Sequence, residues 1–150
     1  MTDADRAGEF GAIYLPALQR IRTLWMDLEP LVTETGYNDP VEPTELQIEL
    51  ADGLGDADAA RFDIQWSELD NYSFHYVDST DVNWRFDRHP NMHSPDRHYH
   101  PPPDARTVDA EQSCIHVDEV SLVTRAVHKL WRITYESGDL GRLNSSSNPP

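Results

Sequence analysis

Residues 71–78 read NYSFHYVD and residues 82–87 read VNWRFD. In the first stretch Tyr72, Phe74 and Tyr76 alternate with Ser73, His75 and Val77. In the second, Val82, Trp84 and Phe86 alternate with Asn83, Arg85 and Asp87. A period of two is that of an extended strand with one buried face. The short link at 79–81 fits a hairpin, and its register is restricted: a slip by one residue would put one aromatic set in water. The pairing that keeps both sets buried places His75 opposite Arg85 and Ser73 opposite Asp87, on the outer face.

Two similar segments precede this pair. Leu46, Ile48 and Leu50 alternate with polar residues in 44–50, and Phe62, Ile64 and Trp66 do so in 61–68. Four consecutive segments of this kind predict an antiparallel meander with one buried face. Upstream, Tyr14, Ala17, Leu18, Ile21, Leu24, Trp25, Leu28, Leu31 and Val32 follow helical spacing, with Pro16 suited to a first turn and Pro30 to a kink or an end. Residues 34–43, ETGYNDPVEP, read as a turn-rich link. Downstream, Val120, Val123, Val127, Leu130, Trp131 and Thr134 define the apolar face of a second helix over 118–136. Asp118 and Glu119 at its start, and Gly138 after it, suit the two ends of a helix. The expected fold is α+β: a four-stranded antiparallel meander with an N-terminal and a C-terminal helix packed on one face. Residues 1–138 are expected to form a single domain, with 1–10 mobile and 139–150 a disordered tail. The second helix is expected to pack on the apolar face made by Phe62, Trp66, Phe74, Tyr76 and Trp84, with Val123, Val127, Leu130 and Trp131 buried against it.

The chain has 150 residues and a net charge of −15, with 27 acids against 12 basic residues, of which only Lys129 is a lysine. The acids are spread along the chain, which suits a solvated surface adapted to high salt better than one docking patch for a basic partner. The single cysteine, Cys114, excludes an internal disulfide. No apolar run has the length of a membrane span, and the acidic N-terminus lacks the features of a signal peptide, so a cytoplasmic location is expected. A glycine-rich phosphate loop, zinc-finger spacing and a serine-hydrolase elbow are all missing from the sequence.

Charge changes sign between Arg85 and Arg106. This stretch holds four Arg, three Asp and four His, a net +1, while the rest carries 24 acids against eight basic residues. A locally basic site on an acidic body suits an anionic substrate. Histidines exchange protons near neutral pH and Arg holds a phosphate with two donors. His75, Arg85, Asp87, Arg97, His98 and His100 are therefore the candidate catalytic residues: a histidine pair with arginines can cleave RNA without a metal cofactor, Asp87 orienting a histidine. Two other readings stand beside this one. His89, His93, His98 and His100, with Asp96 nearby, can be read as ligands for zinc or another transition metal in a metal-dependent hydrolase. The proline-rich stretch 88–113 can also be a solvated loop or a non-catalytic interaction module. His116 and His128 are set aside as flanking and surface residues of the second helix.

The run YSFHYVD, then WRFD, a polar loop, DRHYH and a helix resembles the TumE-type toxin family. The matching motifs are Arg85-Phe86-Asp87 at a strand end and His98-Tyr99-His100 downstream. The N-terminal helix and the acidic composition look like those of haloarchaeal members. The resemblance implies the toxin half of a toxin–antitoxin pair, held inactive by an antitoxin that is usually DNA-binding, with RNA the favoured target. It carries Arg85, Asp87, Arg97, His98 and His100 over as site residues, while His75 comes from strand register alone.

Overall fold

The computed structural model of the chain describes residues 9–89 and 97–145. Helix α1 spans Leu15–Leu28 and opens with Pro16 in its first turn, where no backbone donor is needed. Pro30 stops it: the cap residue, Glu29, is already extended, although its N–H still reaches the Trp25 carbonyl. Leu31 and Val32 are thus not helical, and the strand β1, Val32–Tyr37, begins at once.

The strands that follow are β2 Leu46–Leu50, β3 Ala60–Trp66, β4 Tyr72–Asp78, β5 Asn83–Arg88, β6 Arg97–His100 and β7 Glu111–Gln112. All seven form one antiparallel sheet in sequence order. The expected four-stranded sheet is corrected to seven, the four predicted strands being β2–β5. The extra strands lie at the two sides. β1 occupies part of the stretch read as turns, and it is interrupted by a bulge between Val32 and Glu34. β6 and β7 occupy part of the stretch read as irregular. A four-residue strand fits between prolines because each N–H lost to proline falls outside it.

The register joins Leu46, Ile64, Phe74, Phe86 and Tyr99 in one cross-strand row, and Ile48, Phe62, Tyr76 and Trp84 in the next. Both rows are buried. Helix α2, Val120–Ser137, covers them with α1. Its start is capped by Glu119, which accepts from the Leu122 N–H, and it ends at Gly138 in the left-handed conformation that glycine adopts at little cost. Trp131 is fully buried, with its ring centroid 5.6 Å from that of Tyr76 and 6.0 Å from that of Phe62. The two helices run side by side in the same direction: Arg20 bonds Ser121 near the start of α2, while Glu29 meets His128, Trp131 and Arg132 further along it.

Beyond Gly138 the chain stays on the body. Leu140–Arg142 forms a 3₁₀ turn, Leu143 is buried, and Asn144 accepts from the Cys114 N–H at 2.7 Å. The first part of the segment expected to be a disordered tail is therefore packed, through one leucine and one asparagine that a polar sequence obscures. Residues 1–8 and 146–150 lie outside the described residues.

Candidate functional site

Both helices lie on the apolar side of the sheet, so the other side carries no helix. Its cross-strand rows are Gln47, Asp63, His75, Arg85 and His100, and, beside them, Gln65, Ser73, Asp87, His98 and Gln112. His75 stands opposite Arg85 and Ser73 opposite Asp87, as the hairpin register predicts. The two histidines of β6 arrive by the same rule: His98 pairs with Asp87 and His100 with Arg85. Directly paired residues project from the same face.

Asp87 is the hub. Its Oδ2 accepts from Arg85 Nε at 3.0 Å and lies 3.0 Å from His100 Nε2, while its Oδ1 lies 3.4 Å from His98 Nδ1. Arg85 Nη2 is 3.3 Å from the same His100 nitrogen. His100 Nε2 cannot satisfy both neighbours when neutral. Protonated, it donates to Asp87 but confronts the guanidinium; unprotonated, it accepts from Arg85 but confronts the carboxylate. His100 is only 4 % exposed, and burial is the main cause holding its pKa below the usual histidine value. The Asp87 charge opposes that shift and the Arg85 charge adds to it. The His98 side chain is 16 % exposed and that of Arg85 30 %, so both present an edge to solvent.

The remaining candidates separate. His75 shares the face, on the next strand over, and its Nε2 lies 3.0 Å from Asn83 Oδ1. Arg97 projects from the opposite face, paired across the sheet with Arg88, and forms an ion pair with Asp118 at the start of α2. One-residue alternation sends Arg97 away from its neighbour His98. It cannot join Arg85 on a ligand without leaving that ion pair. His89 stands against Phe10, their ring centroids 5.8 Å apart. His93 and Asp96 lie outside the described residues. Among the described residues no three His, Cys, Asp or Glu side chains are grouped so as to hold a metal ion. Asp87, His98 and His100 also share their space with the Arg85 cation, which disfavours a second cation.

A second charged cluster escaped the sequence reading. The Glu29 carboxylate is buried between the helices, accepting from Arg132 at 2.7 Å, Trp131 Nε1 at 3.3 Å and the Leu31 N–H at 2.9 Å, with His128 Nε2 at 3.2 Å. His128 is thus not an idle surface residue: its ring also meets the Trp25 edge at 5.2 Å. An acid at a helix C-terminus opposes the dipole, and that was the only signal in the sequence.

Burial also lowers the His128 pKa, against the attraction of Glu29. Two histidines that resist protonation when folded make acid favour unfolding. The unfolded chain takes up those protons near pH 6.5, whereas the folded chain takes them up only lower. The stability they contribute is therefore complete above pH 6.5 and declines as the pH falls below it. The urea midpoint is expected to drop between pH 7 and the carboxylate range, and His128→Gln is expected to flatten that slope. A midpoint constant over this window would contradict the assignment.

A family model described as Toxin TumE matches residues 20–137, and the chain belongs to that family. The matched region contains all six candidate residues. No curated protein and no solved structure gives a match. No helix of the described residues is long and apolar enough to cross a membrane.

Proposed function

We propose that this toxin acts on RNA through His98, Asp87, Arg85 and His75, and that its antitoxin is a DNA-binding protein. The observation that supports the reaction is the single carboxylate of Asp87 contacting Arg85 and both histidines of β6 on the sheet face that carries no helix. With His98 Nδ1 turned towards Asp87, the Nε2 atom on the far side of the ring serves as the base. It takes the proton of a ribose 2′-hydroxyl. The 2′-oxygen bonds to the adjacent phosphorus, the bond from phosphorus to the 5′-oxygen breaks, and His75 returns a proton to that oxygen. Arg85 stabilises the charge that gathers on the phosphate oxygens, and Asp87 and His100 hold the arginine in place. The nucleophile comes from the substrate, so the scheme uses no resident metal.

The test is incubation of the purified chain with an RNA and with the DNA of the same sequence. The expected result is cleavage of RNA alone, leaving a 2′,3′-cyclic phosphate and unaffected by a chelator. Loss of activity with the chelator, restored by zinc, would replace this reading with the metal-dependent hydrolase. Growth arrest without RNA cleavage would replace it with a non-catalytic toxin.

A further inference from the structure

The cations of this acidic chain are unevenly placed. α1 and α2 together carry Arg20, Arg22, Arg125, Lys129 and Arg132 against two acids, Asp27 and Glu136, while the remaining sequence has seven basic residues and 25 acids. A surface shaped by overall acidity alone would put carboxylates on these helices too.

The cations also converge. Arg20 reaches from α1 to Ser121 Oγ at 3.0 Å, which brings it beside the first turn of α2. Arg125 and Lys129 follow Ser121 at successive helical turns, and both are exposed. Arg132 comes next, bonded to Glu29 and 3.9 Å from Glu136. Among the described residues, Arg125 and Lys129 take part in no ion pair. Beside Arg125 on the same ridge of α2 stands one large apolar side chain, Leu122, at 43 % exposure, whereas the exposed Met26 of α1 lies next to Thr35 of β1, away from α2. Cations flanking an exposed leucine match an amphipathic protein segment better than a phosphate backbone, which offers nothing for Leu122 to cover.

We propose that the outward face of the α1–α2 pair is the docking surface for an amphipathic segment of the antitoxin rich in aspartate and glutamate. The identity of the partner rests on the toxin–antitoxin reading; the acidic chemistry rests on the charge and apolar pattern of the helices. The sheet lies between this face and the Asp87 cluster, so the partner docks here without occupying the histidine site.

A synthetic peptide with glutamates on one helical face and leucines on the other serves as the probe, with a scrambled peptide of the same composition and a single-stranded RNA for comparison. Fluorescence anisotropy is measured for the natural chain, for R125E/K129E and for His98→Ala, and circular dichroism checks that each is folded. The amphipathic peptide is expected to bind the natural chain and His98→Ala alike, and to bind R125E/K129E about tenfold or more weakly. RNA binding is expected to be unchanged in R125E/K129E. Equal peptide affinity for R125E/K129E, equal binding of the scrambled peptide, or no binding at all overturns the proposal. Loss of RNA affinity in R125E/K129E also overturns it, by making the helix face a nucleic-acid surface. RNA cleavage by the natural chain is assayed in parallel, so failure of the RNA reading shows separately from failure of the docking surface.

Discussion

His98→Ala is expected to lower RNA cleavage about 10²–10⁴-fold, the range over which a positioned acid or base contributes to catalysis. The fold is expected to lose about 1 kcal/mol or less, because His98 projects from the sheet face opposite the apolar core. His98 is the histidine of the pair with an edge in solvent, whereas His100 is enclosed by Asp87 and Arg85. Asp87→Asn tests the same arrangement from the other side. It keeps the shape but removes the charge that both histidines and Arg85 share, so activity should fall without unfolding. The checks are single-turnover cleavage and urea denaturation on the same preparations. An active His98→Ala chain would remove this residue from the chemistry, and a loss of several kcal/mol in stability would make it a structural residue instead.

Trp131→Ala is expected to cost about 3–5 kcal/mol, the range for removing a large aromatic side chain from a packed core. Trp131 touches the rings of Phe62, Tyr76 and Tyr135, and its Nε1–H is one of the donors holding the buried Glu29 carboxylate. The substitution thus leaves a cavity and takes a partner from a buried charge. Trp131→Phe fills most of the space but not the hydrogen bond, so it should fall between the two. Urea unfolding followed by far-ultraviolet circular dichroism measures all three chains. A Trp131→Ala chain within 1 kcal/mol of the parent would show that the α2–sheet contact does not govern stability.

Legibility in the sequence followed the presence of a one-sided apolar pattern. β2 to β5 each bury alternate residues, and Tyr72, Phe74 and Tyr76 against Trp84 and Phe86 were enough to set the register of the last hairpin. That register alone puts His75, Arg85 and Asp87 on one face. β1 is an edge strand with no buried residue, and Gly36, Asn38, Asp39 and Pro40 mark turns so strongly that its β-branched residues were outweighed. β7 has two exposed residues, too few to carry a period. β6 contains a readable alternation, with Tyr99 inward between His98 and His100, but the prolines around it argued for a loop. Reading it as a strand would also have removed Arg97 from the site, since neighbouring residues face opposite ways. The Glu29 cluster was hidden for another reason: its partners lie about one hundred positions away in sequence, and no local pattern announces a pairing between helix ends.

The shortness of β6 has a consequence for how this site tolerates change. Four consecutive residues hold the core tyrosine and both histidines in a fixed order, so spacing within RHYH is quantised. One residue inserted between His98 and His100 sends one histidine to the helix side and places a new side chain over Asp87 or Arg85. Two residues inserted at the same point restore the parity but move one histidine past the end of the pairing. Residues added between Arg88 and Arg97 leave that parity untouched. An insertion in the connection therefore leaves the Asp87 cluster in register, while one between the two histidines breaks the cluster and strains the core in the same step.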